Sequence, residues 1–416
     1  MGKQKSKTVI VIGAGIVGAA TAIWLRRGGH NVTLMDKAAP GMGASYGNGG
    51  ILASCGVVPV TAPGLVFKGP KLLLDPNFPL FMRLSYLPKL MPWMVKYLSN
   101  ANDKDTRRIS KGLVGIVADS LEQHQALSAG TGAEKWLQPS EYNFAYKDRA
   151  AFEADSYTWE LRAKAGFVPE LVEGQEVREK EPVLAASVNL LAVNKNHGFI
   201  LNPAEYVKSL VQVLQDLGGR FITAEVKGFD LSGGQISAVE TDQGRFECDR
   251  AVLATGVSSK SLMKKLGLNI PLEAERGYHI VYKDADKLPS SPLMLTMGKF
   301  VATPMGADLR CAGIVEFGGL SDKISKAPLR LMRKKVHEVF PNLTAQSEEE
   351  WLGYRPAPAD SLPLIGEIGD SGVFAGFGHH HIGLTGGPKT GRMIADMISG
   401  NHLNIDTTAY QPQRFS

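Results

Sequence analysis

Gly13, Gly15 and Gly18 fall in the run Gly13-Ala14-Gly15-Ile16-Val17-Gly18, and an acid, Asp36, follows with Lys37 beside it. That spacing suits a diphosphate. The first glycine makes a tight turn, the second lets backbone approach the phosphates, and the third lets helix and strand pack closely. A helix opening at Ile16 and Val17 aims free N–H groups and its positive dipole end at the anion. An acid about 20 residues further on binds both hydroxyls of a ribose. The ligand this pattern fits is a dinucleotide. His379-His380-His381 carries a different invitation, a metal. Consecutive ligands on an extended chain diverge, and no nearby carboxylate or cysteine completes a set, so no metal site is expected.

These residues need elements to hold them. Val9-Ile10-Val11-Ile12 is uniformly apolar, as a strand buried on both faces must be. A helical run to Arg27 follows, then a Gly28-Gly29 stop and a second strand ending at Asp36. The glycine-rich stretch 40–50 is poor helix or strand. Its place after the second strand suggests backbone wrapped around a cofactor, with Ser45, Asn48, Gly49 and Gly50 in contact. Residues 57–102 are broken by prolines between apolar clusters studded with Arg83, Lys89 and Lys96. They read either as an amphipathic surface resting on a membrane or, preferably, as helices covering a cavity.

Helices are expected over 107–129, 150–166 and 173–181. Asn202-Pro203-Ala204-Glu205 is a capped helix start, and that helix runs to Gly218-Gly219. A strand over 220–226 places Val226 against an adenine ring, and short strands follow at 236–240 and 244–248. A buried strand over 250–256 ends in Ala254-Thr255-Gly256 beside the cofactor. Strands at 277–283 and 300–317 begin a second sheet, followed by a helix over 328–340. A turn at 351–356 contains Gly353, Arg355 and Pro356, and a last helix runs to Ile398.

The 416 residues suffice for two domains. A net charge of +5 without a Lys/Arg run argues against a nucleic-acid partner. Three widely spaced cysteines, Cys55, Cys248 and Cys311, form neither a disulfide framework nor a metal motif, which fits a reducing compartment. The cytoplasm is expected, with a peripheral position on the inner face of the membrane if 57–102 rests on lipid. The lysines before Val9 imitate a signal peptide, but the apolar run carries the glycine motif, so no targeting segment is read.

The N-terminal motif, the Ala-Thr-Gly strand and the Gly-rich turn near His379 together resemble the D-amino-acid oxidase (DAO) superfamily of FAD-dependent oxidoreductases. Within it, the Gly43–Gly50 loop and the proline-rich segment most resemble bacterial D-amino-acid dehydrogenases. The resemblance departs at the C-terminal turn, where Gly378-His379-His380 leads to Gly383-Leu384-Thr385. Glu275-Arg276-Gly277-Tyr278-His279 is similar to relatives acting on secondary amines. The implied class is α/β with α+β elements. A Rossmann-like FAD-binding domain of the glutathione-reductase type (1–56, 196–265 and 345–416) would join a substrate-binding domain (57–195 and 266–344). The second domain would be built on a mostly antiparallel sheet plus helices.

The resemblance also implies chemistry. The cofactor is non-covalent FAD, since Cys55 is not where relatives attach flavin. Arg355 is the candidate for a substrate carboxylate, because a guanidinium forks onto one bidentately. Tyr278 or His279 lines the cavity, Tyr278 being preferred because a phenol donates to carboxylates. His379 or His380 approaches the flavin, and Gly353 joins its surroundings. The N–H groups of Gly383, Leu384 and Thr385 stabilise charge at the reduced flavin edge. The implied reaction is oxidation of a D-amino acid by hydride transfer to flavin N5, with quinone or oxygen as final acceptor. Oxidation of a cyclic or N-alkylated amino acid is the second reading, and a flavin-fold binding protein without turnover is the third.

Overall fold

The computed structural model describes residues 6–64 and 79–415. Its first sheet has six strands, in the order Leu364–Glu367, Val373–Phe377, Arg250–Leu253, Thr8–Ile12, Asn31–Asp36 and Arg220–Thr223. All neighbours are parallel except the first two. The strand Thr8–Ile12 is buried on both faces, and its side chains divide between two clusters. Val9 and Val11 pack with the helices Ile16–Arg27, Pro203–Asp216 and Gly383–Ser399. Ile10 and Ile12 pack on the other side with Ile236 and Val239 of a three-stranded sheet. Alternation of side chains along the strand puts a core on each face.

A larger sheet of ten strands carries the second half of the architecture. Its main path runs from Ser347–Pro358 through Leu272–Lys283, Asp308–Phe317, Phe300–Met305 and Leu293–Leu295 to Leu137–Tyr146, Leu190–Ile200 and Ile51–Leu52. Most neighbours are antiparallel; Leu293–Leu295 beside Leu137–Tyr146 is a parallel exception. Residues 347–358 and 196–200 are therefore strands of the larger sheet, although the sequence groups them with the nucleotide half.

Several local expectations are corrected. The helix over 107–129 is two helices, Asp103–Val117 and Ser120–Ser128. They part at Asp119, whose carboxylate binds Gln123 and Lys389. The helix over 150–166 is likewise split into Arg149–Glu153 and Ser156–Lys164. Gly174, at φ 60°, separates a strand, Glu170–Glu173, from the helix Gln175–Lys180. The strand from Arg220 stops at Thr223, and Val226 opens the next one. The turn at 351–356 is the middle of the long strand Ser347–Pro358.

Part of the proline-rich stretch, 65–78, lies outside the described residues. Beyond it, Leu80–Met82 pairs with the end of Asp308–Phe317, and Leu90, Trp93 and Tyr97 pack on Phe317, Ala357 and Ala359. Val58, Val60, Pro79, Leu80 and Tyr97 line a cavity, which agrees with the covering role. Among the described residues no helix is long and apolar enough to cross a membrane.

Two core histidines give the fold a pH dependence. His124 bonds the Tyr206 hydroxyl and the Leu384 carbonyl, and His379 bonds Thr390. Burial pushes each imidazole down to about 4. The unfolded chain titrates near 6.5 and so takes up protons first as pH falls. Stability is therefore full above about pH 6.5 and is lost towards pH 4, by up to about 1.4 kcal/mol per histidine per pH unit. The thermal midpoint should drop steadily from pH 7 to 5, and His124→Gln should flatten the slope. A midpoint constant over that range contradicts this account.

Candidate functional site

The cavity, of about 1320 Å³, extends from the Gly13–Val17 turn past the glycine loop to the face of the strand pair bearing Arg355. Such a volume exceeds that of an ordinary small-molecule pocket, leaving room for a dinucleotide and a small substrate together. At the nucleotide end, Gly13 adopts φ 105°, and a Cβ there would meet the Ala254 carbonyl at 2.5 Å. A Cβ at Gly18 would lie 1.8 Å from the Gly13 carbonyl. The turn thus admits glycine alone at both places. Ahead of Gly15 only Ser45 Oγ comes near, at 3.2 Å, which leaves the cradle a diphosphate needs. The helix Ile16–Arg27 has no side-chain cap and no acid in its first turn, so an anion meets no competing charge.

Asp36, expected as a ribose ligand, also supports the turn. Its Oδ2 accepts from the Ala14 N–H at 2.7 Å and its Oδ1 from the Ala38 N–H at 3.0 Å. Every expected cofactor residue borders the cavity except Gly18, which is packed beneath the turn, and Gly50. Gly50 donates its N–H to Asn48 Oδ1 and so closes the loop. That loop is held from the larger sheet. Arg310 donates to the carbonyls of Tyr46 and Asn48, both at 2.9 Å, and Thr303 donates to Gly49. Burial lowers the Arg310 guanidinium to about 10. Nothing in its sequence context marks Arg310 for this role.

The other end is built on one face of the pair Leu272–Lys283 and Ser347–Pro358. Glu275 lies opposite Arg355, Gly277 opposite Gly353, and His279 opposite Trp351. Arg355 Nη1 donates to Glu275 Oε1 at 2.5 Å, and its guanidinium lies across Gly277, where a Cβ would come within 2.8 Å of Cζ. Glu275 Oε2 meets His380 Nε2 at 2.6 Å. Burial alone would raise the Glu275 carboxyl, but His380 and Arg355 outweigh it and hold it far below the usual carboxylate range. His380 reaches this position with φ 50°, its N–H donating to the Pro356 carbonyl at 3.0 Å. A left-handed non-glycine residue costs of order 1–3 kcal/mol and marks a place where the surroundings dictate the backbone.

Three expectations change here. Arg355 is aimed by a strand register, not by a turn. Tyr278 borders the cavity, but its hydroxyl is occupied: it donates to Glu316 Oε2 at 2.5 Å and accepts from Arg276. It is therefore not free to bind a substrate carboxylate. His279, on the Glu275 face, stacks on Trp351 with ring centroids 5.0 Å apart and meets the Gly47 carbonyl. The indole of Trp351 fills the space over Gly353 and Gly47, so Gly353 serves chiefly to clear that ring. Glu275 was legible only as part of a motif, although its two-residue spacing from Gly277 does put both on one face. Among the described residues no group of three or more His, Cys, Asp or Glu is placed to hold a metal.

Removing the Glu275 carboxylate leaves Arg355 and His380 facing each other without an anion. Glu275→Ala should destabilise the protein by about 3–5 kcal/mol at pH 7. The deficit should shrink only below about pH 4, where the unfolded carboxyl takes up its proton. Denaturant titrations of both proteins at pH 7 check this, and equal midpoints would show that the pair contributes nothing.

The family model for FAD-dependent oxidoreductases (DAO) matches residues 8–397. The chain is 35% identical over 419 residues to a D-amino-acid oxidase of Bradyrhizobium diazoefficiens, covering 99% of each. It is 28% identical over 422 residues to a D-amino acid dehydrogenase of Sinorhizobium medicae, covering 96% of this chain and 98% of that one. L-proline dehydrogenase from P. horikoshii shares the fold, with a TM-score of 0.74 at 20% identity over 99% of this chain and 98% of that one. The family match runs through both sheets and the cavity they line, and its cofactor is the dinucleotide that the glycine turn and Asp36 accommodate: the chain belongs to the DAO family of FAD-dependent oxidoreductases.

Proposed function

We propose that the protein oxidatively deaminates a D-amino acid, giving an imine that hydrolyses to a 2-oxo acid and ammonia. Bound FAD supplies the hydride acceptor, at flavin N5. The protein's part is to place the substrate's Cα–H, and positioning of that kind provides most of the rate. One observation carries the reading: among the described residues the Arg355 guanidinium in the cavity wall has a single hydrogen-bond partner, Glu275, on Nη1. Its Nε and Nη2 remain for a substrate carboxylate, and Glu275 and Gly277 fix the plane in which they point. His380 shares the Glu275 carboxylate and is held in place by it. The names of the two curated relatives, an oxidase and a dehydrogenase of D-amino acids, support the substrate class.

The cysteines support a non-covalent cofactor. Cys55, Cys248 and Cys311 are all buried, and burial pushes their thiols up, that of Cys55 to about 11 and that of Cys248 to about 12. None is a ready thiolate for attack on a flavin. Acid precipitation of the yellow protein should release the flavin into the supernatant. Colour retained in the pellet would contradict this.

Arg355→Ala should keep FAD but lower kcat/KM for amino acids by roughly two to three powers of ten, as expected when one side of a buried ion pair is lost. Arg355→Lys should recover only part, because an ammonium cannot reproduce the fork. An amine without a carboxylate should be oxidised equally poorly by wild type and Arg355→Ala. Near-normal kcat/KM for amino acids in Arg355→Ala would assign the carboxylate to another residue.

A further inference from the structure

The cavity wall holds a second, partly buried guanidinium, that of Arg162 on the helix Ser156–Lys164. Arg162 stacks its Cζ 4.6 Å from the ring centroids of both Phe144 and Trp159. Among the described residues only Nη1 has a hydrogen-bond partner, Thr158 Oγ1 at 3.1 Å; Nε is buried with none. Among the described residues no carboxylate pairs with Arg162, whereas Arg355 has Glu275. Arg310, also sheltered and without an acid among the described residues, spends Nη1 on two loop carbonyls, keeps a buried Nε without a partner, and does not line the cavity. The lysines of the wall, Lys37, Lys227, Lys265 and Lys299, are exposed to water.

Beside Arg162 stands Tyr142, 5% exposed, two residues from Phe144 on the strand Leu137–Tyr146 and likewise in the cavity wall. Its hydroxyl has no hydrogen-bond partner among the described residues. Burial pushes the phenol up and the Arg162 charge opposes this, so the phenol stays a neutral donor at physiological pH. A sheltered cation with idle donors and an adjoining idle phenol are costly to bury without an anion to receive them.

We propose that Arg162 and Tyr142 bind the second carboxylate of a dicarboxylic amino acid whose α-carboxylate lies on Arg355. This rests on the deamination reading above and narrows its substrate class. The stacked rings favour such binding, because they fix the plane of the guanidinium while leaving its edge donors to a carboxylate. A neutral isostere of the substrate leaves those donors unpaired, and a site built to hydrogen-bond a group discriminates strongly against analogues lacking it.

The test compares holoenzyme variants on isosteric pairs, D-glutamate against D-glutamine and D-aspartate against D-asparagine. Wild type should prefer the acids by about 100-fold in kcat/KM, following the cost of unpaired polar groups. Arg162→Met keeps the packing on Phe144 and Trp159. It should erase that preference while leaving the amides within about threefold. Tyr142→Phe, which removes one oxygen, should reduce the preference by about fivefold. Equal losses on acids and amides, or a wild type that favours the amides, would overturn the assignment. Glutarate and butyrate titrated into holoenzyme, followed by the flavin spectrum, provide a readout without turnover. If no D-amino acid reduces the flavin, the deamination reading fails, and glutarate still decides this one. Binding tighter than butyrate and lost in Arg162→Met upholds it, and binding indifferent to Arg162 overturns it.

Discussion

The buried carboxylate of Glu275 is the constraint on which the substrate end of the molecule depends. A buried anion is tolerated only when it is paired and hydrogen-bonded. Glu275 meets both demands with groups from two other stretches of chain, Arg355 across the strand pair and His380 from the turn before the last helix. Three segments far apart in sequence therefore converge on two oxygen atoms. The left-handed backbone at His380 is a by-product of that convergence, held by its N–H on the Pro356 carbonyl.

The two ends of the cavity are set relative to each other by the loop around Ser45–Gly50. On one side Ser45 Oγ accepts the Ile16 N–H at the mouth of the diphosphate turn. On the other, Arg310, Thr303 and His279 of the larger sheet bind its carbonyls. Hydride transfer tolerates little error in the distance between donor carbon and acceptor nitrogen. A loop fastened at both edges keeps the glycine turn in register with the strand pair that bears Arg355.

The nucleotide half was readable because each of its signals is local. Gly13, Gly15, Gly18 and Asp36 act within one strand–helix–strand unit, and the Asn202-Pro203 cap acts within one turn. The substrate end was less readable because its geometry comes from pairing between strands distant in sequence. Gly353 and Pro356 look like turn residues, yet register against Leu272–Lys283 makes that stretch a strand. The same register decides that Glu275 and His279 share the face of Arg355 while Tyr278 joins Arg276 and Glu316 behind it. Periodicity of two could say that the faces alternate, but not which face the cavity takes. Asp119 divided a helix for a similar reason, since its partner Lys389 lies in the last helix.

Trp351 adds a constraint of another kind. Its indole occupies the volume that side chains at Gly47 and Gly353 would need, and it lies flat on His279. A larger residue at 47 or 353 has no place unless 351 shrinks, and a smaller residue at 351 opens a void over the loop. These positions, one of them far from the others along the chain, share one volume. A change at any one of them has to be matched at another, which couples the loop Ser45–Gly50 to the strand Ser347–Pro358.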